Sequence, residues 1–402
     1  MSVQQVMDEQ ILLARAFLSR VAEPASAAVW RLVRDRGPVA AARAIQDATA
    51  PQDVRQLTDA RRTWVDPSAD LEAAERHGIR LIGPESAQWP HFALSALEHA
   101  GTRLAHLVPP LALWVRGEAD LTALAVRSAA IVGSRAATKY GEHVTAELAY
   151  GLARAGVWVV SGGAYGIDAA AHRAALAGDG HTVLVSAGGL DRPYPGGNAT
   201  LFERVAQSGL LISESPPGTA PQRHRFLSRN RLIAAFSTGV VITEAALRSG
   251  AANTASHAFA MGRPVMAVPG PVTSPMSAGC HALLAREPAA QLVTCVDDVL
   301  RIVGTIGEGL RPDAGAGPVG DVRDELDQLG PTARRVFDAL PARSCVTPDE
   351  IALRSGIAAL EVIRALPLLD IAGLVEAEGA GYRIASRLRA RNRGFTAGSP
   401  GR

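Results

Sequence analysis

The sequence predicts an α/β protein built on a doubly wound, mainly parallel sheet, and three observations predict it. Short Val/Ile/Leu runs alternate with amphipathic segments through the middle of the chain. Hydrophobic residues make up 48% of the 402 residues but aromatics only 4%, so the core must be aliphatic, as in sheets covered by helices on both faces. Glycine gathers where the apolar runs end, which is where open α/β sheets hold their ligands. Length allows two or three domains. A net charge of +2 points to no partner by itself. Cys280, Cys295 and Cys345 form no CxxC, so neither a disulfide framework nor a zinc site is expected. The N-terminus lacks the basic and apolar regions of a signal peptide, and no apolar run is long enough for a membrane helix. A cytoplasmic protein without membrane contact is expected.

Residues 1–105 read as an N-terminal helical domain. Ile11 to Val21 is amphipathic and stops at Glu23-Pro24. Val29–Val33 and Val39–Ala48 flank Arg36-Gly37-Pro38, which is read as a helical corner rather than a nucleic-acid-gripping hairpin. Leu71–His77 is a further helix, and Trp89-Pro90 opens an irregular connection. Leu111–Val115 reads as an edge strand.

Residues 106–303 form the expected core domain. Strand-like runs fall at 129–132, 157–161, 182–186, 210–213, 239–243, 264–268 and 291–294. Helical segments fall at 166–177, 198–207, 228–236, 251–261 and 277–286, with another after Arg135. Residues 304–321 are Gly-, Pro- and Ala-rich and read as a flexible linker. Residues 322–386 suggest a winged-helix-like domain of three helices and a hairpin. Thr347-Pro348-Asp349-Glu350 supplies an N-cap, a first-turn proline and acids for the second helix. Its third helix carries Glu361 and one basic residue, Arg364, which argues against duplex reading. Residues 387–402 form a basic tail with five arginines and no acid, read as disordered.

Three loops carry the chemistry. Gly133-Ser134-Arg135 ends an apolar run before a helix. Either the glycine admits a phosphate beside the Arg135 charge, or it makes a turn and the arginine is solvated. Ser161-Gly162-Gly163-Ala164-Tyr165-Gly166-Ile167-Asp168 could cup an anion with its backbone N–H groups. Asp168 and His172 lie four apart on one helical face. They are read as structural, loop-bridging residues rather than an acid/base pair, and Glu244 is placed with them. Gln222-Arg-His-Arg-Phe-Leu-Ser-Arg-Asn-Arg231 holds four arginines, no acid and Phe226. If its helix begins at Ser228, Arg229 sits in the first turn against the helix dipole, and an anionic partner explains it.

Taken together, Ala130-Ile-Val-Gly-Ser-Arg135, Ser161–Asp168 with Ala171-His172, and Gly189-Leu-Asp-Arg-Pro-Tyr-Pro195 resemble the DNA-processing protein A (DprA/Smf) family. Ile212-Ser-Glu214, Arg229-Asn-Arg231, Glu244-Ala245, Arg248-Ser-Gly250 and Val268-Pro-Gly270 continue the match over residues 111–300. The flanks resemble the family's N-terminal helical and C-terminal winged-helix-like domains. The resemblance implies an extended Rossmann-like fold and a homodimer. It also implies a non-enzymatic, cofactor-free protein that binds single-stranded DNA and helps load RecA recombinase in natural transformation. Carried over by motif, the DNA site comprises Gly133, Ser134, Arg135, Gly162, Gly163, Arg225, Phe226, Arg229, Asn230, Arg231, Arg248, Ser249 and Gly250. The chain departs from the family pattern at Leu227, at Ala251-Ala252-Asn253 and at His281. The rival reading is a Rossmann-like nucleotide phosphoribohydrolase, whose Pro-Gly-Gly-x-Gly-Thr-x-x-Glu is approached by Pro195-Gly-Gly-Asn-Ala-Thr-Leu-Phe-Glu203. Ala199 replaces the glycine that lets backbone approach phosphate.

Overall fold

The computed structural model describes residues 7–125, 127–304, 326, 329–341, 344–378 and 381–385. The expected linker at 304–321 and the basic tail at 387–402 lie outside the described residues, apart from Gly304. The chain divides into two compact units, Met1–Leu310 and Arg311–Arg402.

In the first unit, α1 (Glu9–Val21), α2 (Ala27–Arg36), α3 (Pro38–Gln46), α4 (Gln52–Thr58) and α5 (Pro67–Arg76) come first. Asp8 caps α1 by accepting from the Gln10 N–H, and Asp66 caps α5 through the N–H groups of Ser68 and Ala69. Phe17, Leu18, Val29, Val33, Ile45 and Val54 form the shared core of α1 to α4, while Ala74 of α5 packs with Trp114 and Leu211 of the sheet. Then come β1 (Ile79–Ile82), α6 (His91–Gly101) and β2 (Leu113–Arg116). The alternating region gives β3 (Ser128–Val132), α7 (Lys139–Arg154), β4 (Trp158–Ser161), α8 (Ile167–Ala177), β5 (Thr182–Val185), α9 (Ala199–Ser208) and β6 (Leu210–Ser213). It continues with α10 (Arg223–Ala235), β7 (Gly239–Ile242), α11 (Gly250–Ala260), β8 (Val265–Ala267), α12 (Ala278–Ala285), β9 (Gln291–Leu292) and α13 (Val296–Val303).

Among the described residues these strands make one sheet in the order β1-β2-β6-β5-β4-β3-β7-β8-β9. From β6 to β9 every pairing is parallel, while β2 pairs antiparallel with both β1 and β6. The run at 111–115 is therefore not an edge strand. β1 covers it, and β1 lies inside the stretch read as helical. Alternation along β3 splits the core. Ala130 and Val132 face Leu97, Leu232, Phe236 and Leu283, whereas Ala129 and Ile131 face Leu148, Leu152, Ile167 and Val299. Each fully buried Leu, Ile or Phe contributes about 1.5–3 kcal/mol, so the sheet is held from both faces. No helix among the described residues is long and apolar enough to cross a membrane.

The second unit holds α14 (Pro331–Asp338), α15 (Pro348–Ser355), α16 (Ala359–Ile371) and the antiparallel pair β10 (Val375–Glu378) and β11 (Gly381–Ile384). Thr347 and Glu350 form a reciprocal capping box at the start of α15. Val336, Ile351, Val362, Leu366 and Leu369 fill its core. This is a winged-helix arrangement.

Candidate nucleic-acid interface

Strand order reverses at β3. The chain winds outward through β4, β5 and β6 on one side, then returns to β7, β8 and β9 on the other. A crevice for ligands opens at such a reversal, outside the carboxyl ends of β3 and β7. Gly133-Ser134-Arg135 leaves β3 there, and Glu244 follows β7.

Most of the glycine loops turn out to be braced by the protein itself. The Ser134 N–H donates to the Glu244 carbonyl at 2.7 Å. A Cβ on Gly133 would come within 2.6 Å of both that carbonyl and Ile167 Cγ1, so this glycine lets three segments meet. Glu244 is buried, and its carboxylate accepts from the Thr138 N–H at 2.8 Å and the Thr138 hydroxyl at 2.7 Å. Asp168 Oδ2 accepts from the N–H groups of Gly162 at 3.2 Å and Ala164 at 3.5 Å. The backbone nest at 162–164 is thus filled by the chain's own carboxylate. Burial pushes the Asp168 carboxyl above its usual range, against the pull of the Arg229 charge. His172 is fully buried with Nδ1 at 2.7 Å from Thr182 Oγ1. The Thr182 hydroxyl itself donates to the Val159 carbonyl at 2.7 Å, so the proton on Nδ1 belongs to the histidine. Burial, with Arg229 and Arg173 nearby, drops the His172 pKa to about 3. The pair Asp168/His172 ties loops and strands together, and neither member points to solvent.

The basic segment is corrected in two ways. First, its helix begins at Arg223, with Gln222 at the N-cap, and not at Ser228. Arg229 and Asn230 therefore lie in the second turn, outside the reach of the dipole argument. Second, three of its arginines are turned inward. Arg231 is fully buried, with Nη1 and Nη2 donating to Glu214 at 2.7 and 2.6 Å. Arg229 Nη1 donates to the Gly162 carbonyl at 2.8 Å and to that of Val185, bracing the ends of β4 and β5. Burial lowers its pKa to about 10 although Asp168 opposes the shift. A Cβ on Gly162 would meet this guanidinium at 2.6 Å, and one on Gly163, at φ +72°, would meet Leu184. Arg225 forks onto Glu23, donating at 2.9 and 2.7 Å, and also reaches the Ala220 carbonyl at 2.7 Å. Arg231 and Arg225 are thus already paired with carboxylates rather than turned to solvent. Asn230 turns its amide nitrogen to Asn253 Oδ1 at 3.1 Å and the Gly250 carbonyl at 3.4 Å.

The outward-facing chemistry is smaller and sharper. Phe226 is half-buried, and the exposed Arg135 lays its guanidinium 5.0 Å from that ring's centroid. The Tyr194 ring lies 5.7 Å from the Phe226 ring, tilted by 51°. Tyr194 and Tyr165 are each about half exposed, in a chain with only five tyrosines. Arg223 and Arg248 face water beside the same strand ends. Ser249 begins α11 with its hydroxyl buried and unbonded, and Gly250 has open space where a side chain would stand. Motif reasoning missed Tyr165 and Tyr194 as surface groups, and counted Arg223 in the basic segment without placing it among the site residues. The signal was present: rare aromatics inside glycine-rich strand-end loops. The surface offers stacking faces and delocalised positive charge, which suits splayed bases on a phosphate chain.

Glu203 occupies a different place. It is half exposed and accepts from Arg116 Nη1 and Nη2 at 2.8 and 2.7 Å. Arg116 pairs with Leu211, near the amino end of β6 and away from the crevice.

Comparison with known proteins bears on the family and the fold. The family model described as DNA recombination-mediator protein A matches residues 81–304, and that of the DprA winged helix domain matches residues 323–381. A Mycobacterium tuberculosis protein that carries the DprA name is 51% identical over 376 residues, covering 92% of this chain and 94% of that one. Protein Smf of Escherichia coli is 35% identical over 337 residues, covering 81% and 84%. The X-ray structure of DNA processing protein A from Streptococcus pneumoniae superposes with a TM-score of 0.60 at 29% identity, covering 74% of this chain and 98% of that one. Sequence motifs, the nine-strand order and these matches agree: the chain belongs to the DprA/Smf family of DNA recombination-mediator proteins.

Proposed function

We propose that this protein processes DNA as a binding mediator rather than as an enzyme. It holds single-stranded DNA at the β3/β7 crevice, protects it, and helps load RecA recombinase in natural transformation. It works as a homodimer in the cytoplasm, aligning two crevices on one strand. The supporting observation is the exposed Arg135 stacked on Phe226 beside Tyr194, at the sheet's point of reversal. Relatives named for DNA processing and a family described as a recombination mediator support the same reading. Beneath this surface Arg229 braces the ends of β4 and β5 and Arg231 is paired with Glu214, while Arg135, Arg223 and Arg248 meet phosphate.

The test is fluorescence anisotropy of a labelled oligo-dT against duplex of equal length across a salt series. Preference for the single strand is expected, with a slope near −0.7 per neutralised phosphate. Equal binding to duplex, or none, refutes it. Release of free base from nucleoside monophosphates, abolished by Glu203→Gln, would reinstate the hydrolase reading. The Arg116–Glu203 pairing argues against that outcome.

A further inference from the structure

Where the N-terminal helices meet the β6–α10 connection, a cavity of about 200 Å³ is lined by Arg20, Glu23, Arg61, Trp64, Thr219 and Arg225. Its charges are unequal. The Glu23 carboxylate accepts from Arg225 at 2.7 and 2.9 Å, from Arg61, and faces His224 Nε2 at 3.0 Å. Burial raises its pKa, but the hydrogen bonds from Arg225, His224 and Arg61 outweigh that and hold it far below the usual carboxylate range. Asp70 is matched by Arg20, whose guanidinium also reaches Thr219 Oγ1 at 3.2 Å and the Pro217 carbonyl at 2.6 Å. Three arginines against two carboxylates leave a surplus of positive charge even with His224 neutral. Arg61 engages Glu23 through Nη2 alone, leaving Nε and Nη1 to another acceptor.

Trp64 stands beside this wall with 66% of its surface in water. Its Nε1–H is spent on the Ala60 carbonyl at 2.8 Å, which fixes the ring and leaves its face bare. A fixed, exposed indole next to surplus arginine charge is the pairing that single strands use, with bases on rings and phosphates on guanidinium groups. The wall is continuous with the crevice: Arg225 and Phe226 are neighbours in the first turn of α10, one facing Glu23 and the other Arg135.

We propose that this cavity is a second subsite of the DNA path, taking a nucleotide of the strand as it leaves the crevice, with its base on Trp64 and its phosphate on Arg61. The proposal rests on the crevice binding single strands. It makes the N-terminal helices part of the binding surface and predicts a dependence on strand length.

The experiment compares a short oligo-dT, long enough only for the crevice, with a longer one, using full-length wild type, Trp64→Ala, Trp64→Phe and Arg61→Gln. All four are expected to bind the short strand equally. Trp64→Ala should lose about 5- to 150-fold on the long strand, the range of one base–aromatic stack, while Trp64→Phe keeps most of it. Arg61→Gln should reduce the salt slope on the long strand by about 0.7. Tryptophan emission should be quenched by the long strand in wild type and less so in Trp64→Phe. If Trp64→Ala and Arg61→Gln bind the long strand as wild type does, the subsite is refuted and the crevice stands. If wild type binds neither strand, the crevice reading falls and the subsite falls with it.

Discussion

Arg231 stands in a DNA-binding motif by sequence and in the protein interior by structure, and one substitution separates the two roles. Its guanidinium is fully buried and makes two parallel bonds of 2.6 and 2.7 Å to Glu214, which is itself only 9% exposed. Replacing it with methionine keeps much of the volume and strands the carboxylate. Breaking a buried pair from one side costs about 3–5 kcal/mol. For a unit spanning Met1–Leu310 each kcal/mol lowers Tm by about 1.5 °C, so a drop of about 5–8 °C is expected in differential scanning calorimetry. Glu214→Gln should fall in the same direction. The double variant Arg231→Met with Glu214→Leu should recover stability over either single change, because no charge is then left unpaired. DNA affinity of the folded fraction should stay near wild type. Wild-type Tm in Arg231→Met, together with lost binding to oligo-dT, would refute this reasoning and return Arg231 to the phosphate surface.

Arg135→Ala is expected to do the reverse: an unchanged Tm, weaker binding to every sequence, and a salt slope smaller by about 0.7 in anisotropy titrations. Phe226→Ala should weaken oligo-dT binding about 5- to 150-fold if the ring stacks on a base; unchanged affinity would assign it to packing under Arg135. His172, held down to about pKa 3 in the folded state, gives an acid-sensitive term. The unfolded chain binds this proton near pH 6.5, so stability from the neutral form is complete above that value and lost as pH falls. Between pH 6.5 and 5 wild type should lose about 2 kcal/mol more than His172→Gln in urea titrations; parallel curves would contradict the burial.

Much of the fold was legible because the parallel strands announce themselves as Val/Ile/Leu runs closed by glycine. β1 was not, since Ile79-Arg80-Leu81-Ile82 is too short an apolar run to separate from helix or loop. The start of α10 was hidden for a different reason. Gln222 offers no capping bond, and two arginines in the first turn argue against a helix there. The compensating carboxylate, Glu23, lies about two hundred residues earlier in the chain, and no local pattern carries that information. The basic run misled for the same cause: a string of arginines looks like surface until the carbonyls of Gly162 and Val185 and the Glu214 carboxylate are seen behind it. Charge density in a sequence gives sign but not direction.

The strand pair β1–β2 has a bearing on how this protein can be cut. β6 is Leu-Leu-Ile-Ser, fully buried, and β2 pairs with its outer row of backbone groups. A fragment beginning after Arg116 would present that row to water as an open apolar template, inviting cross-chain pairing and insoluble product. The intact chain ends this side of its sheet instead on four residues with a cation among them. Arg80 covers the rim by donating to Gln88 at 3.2 Å and to the Gly117 carbonyl. Fragments meant to isolate the DNA-binding core should therefore keep Ile79 onward, and their yield as monodisperse material will depend on that strand pair more than on the helices before it.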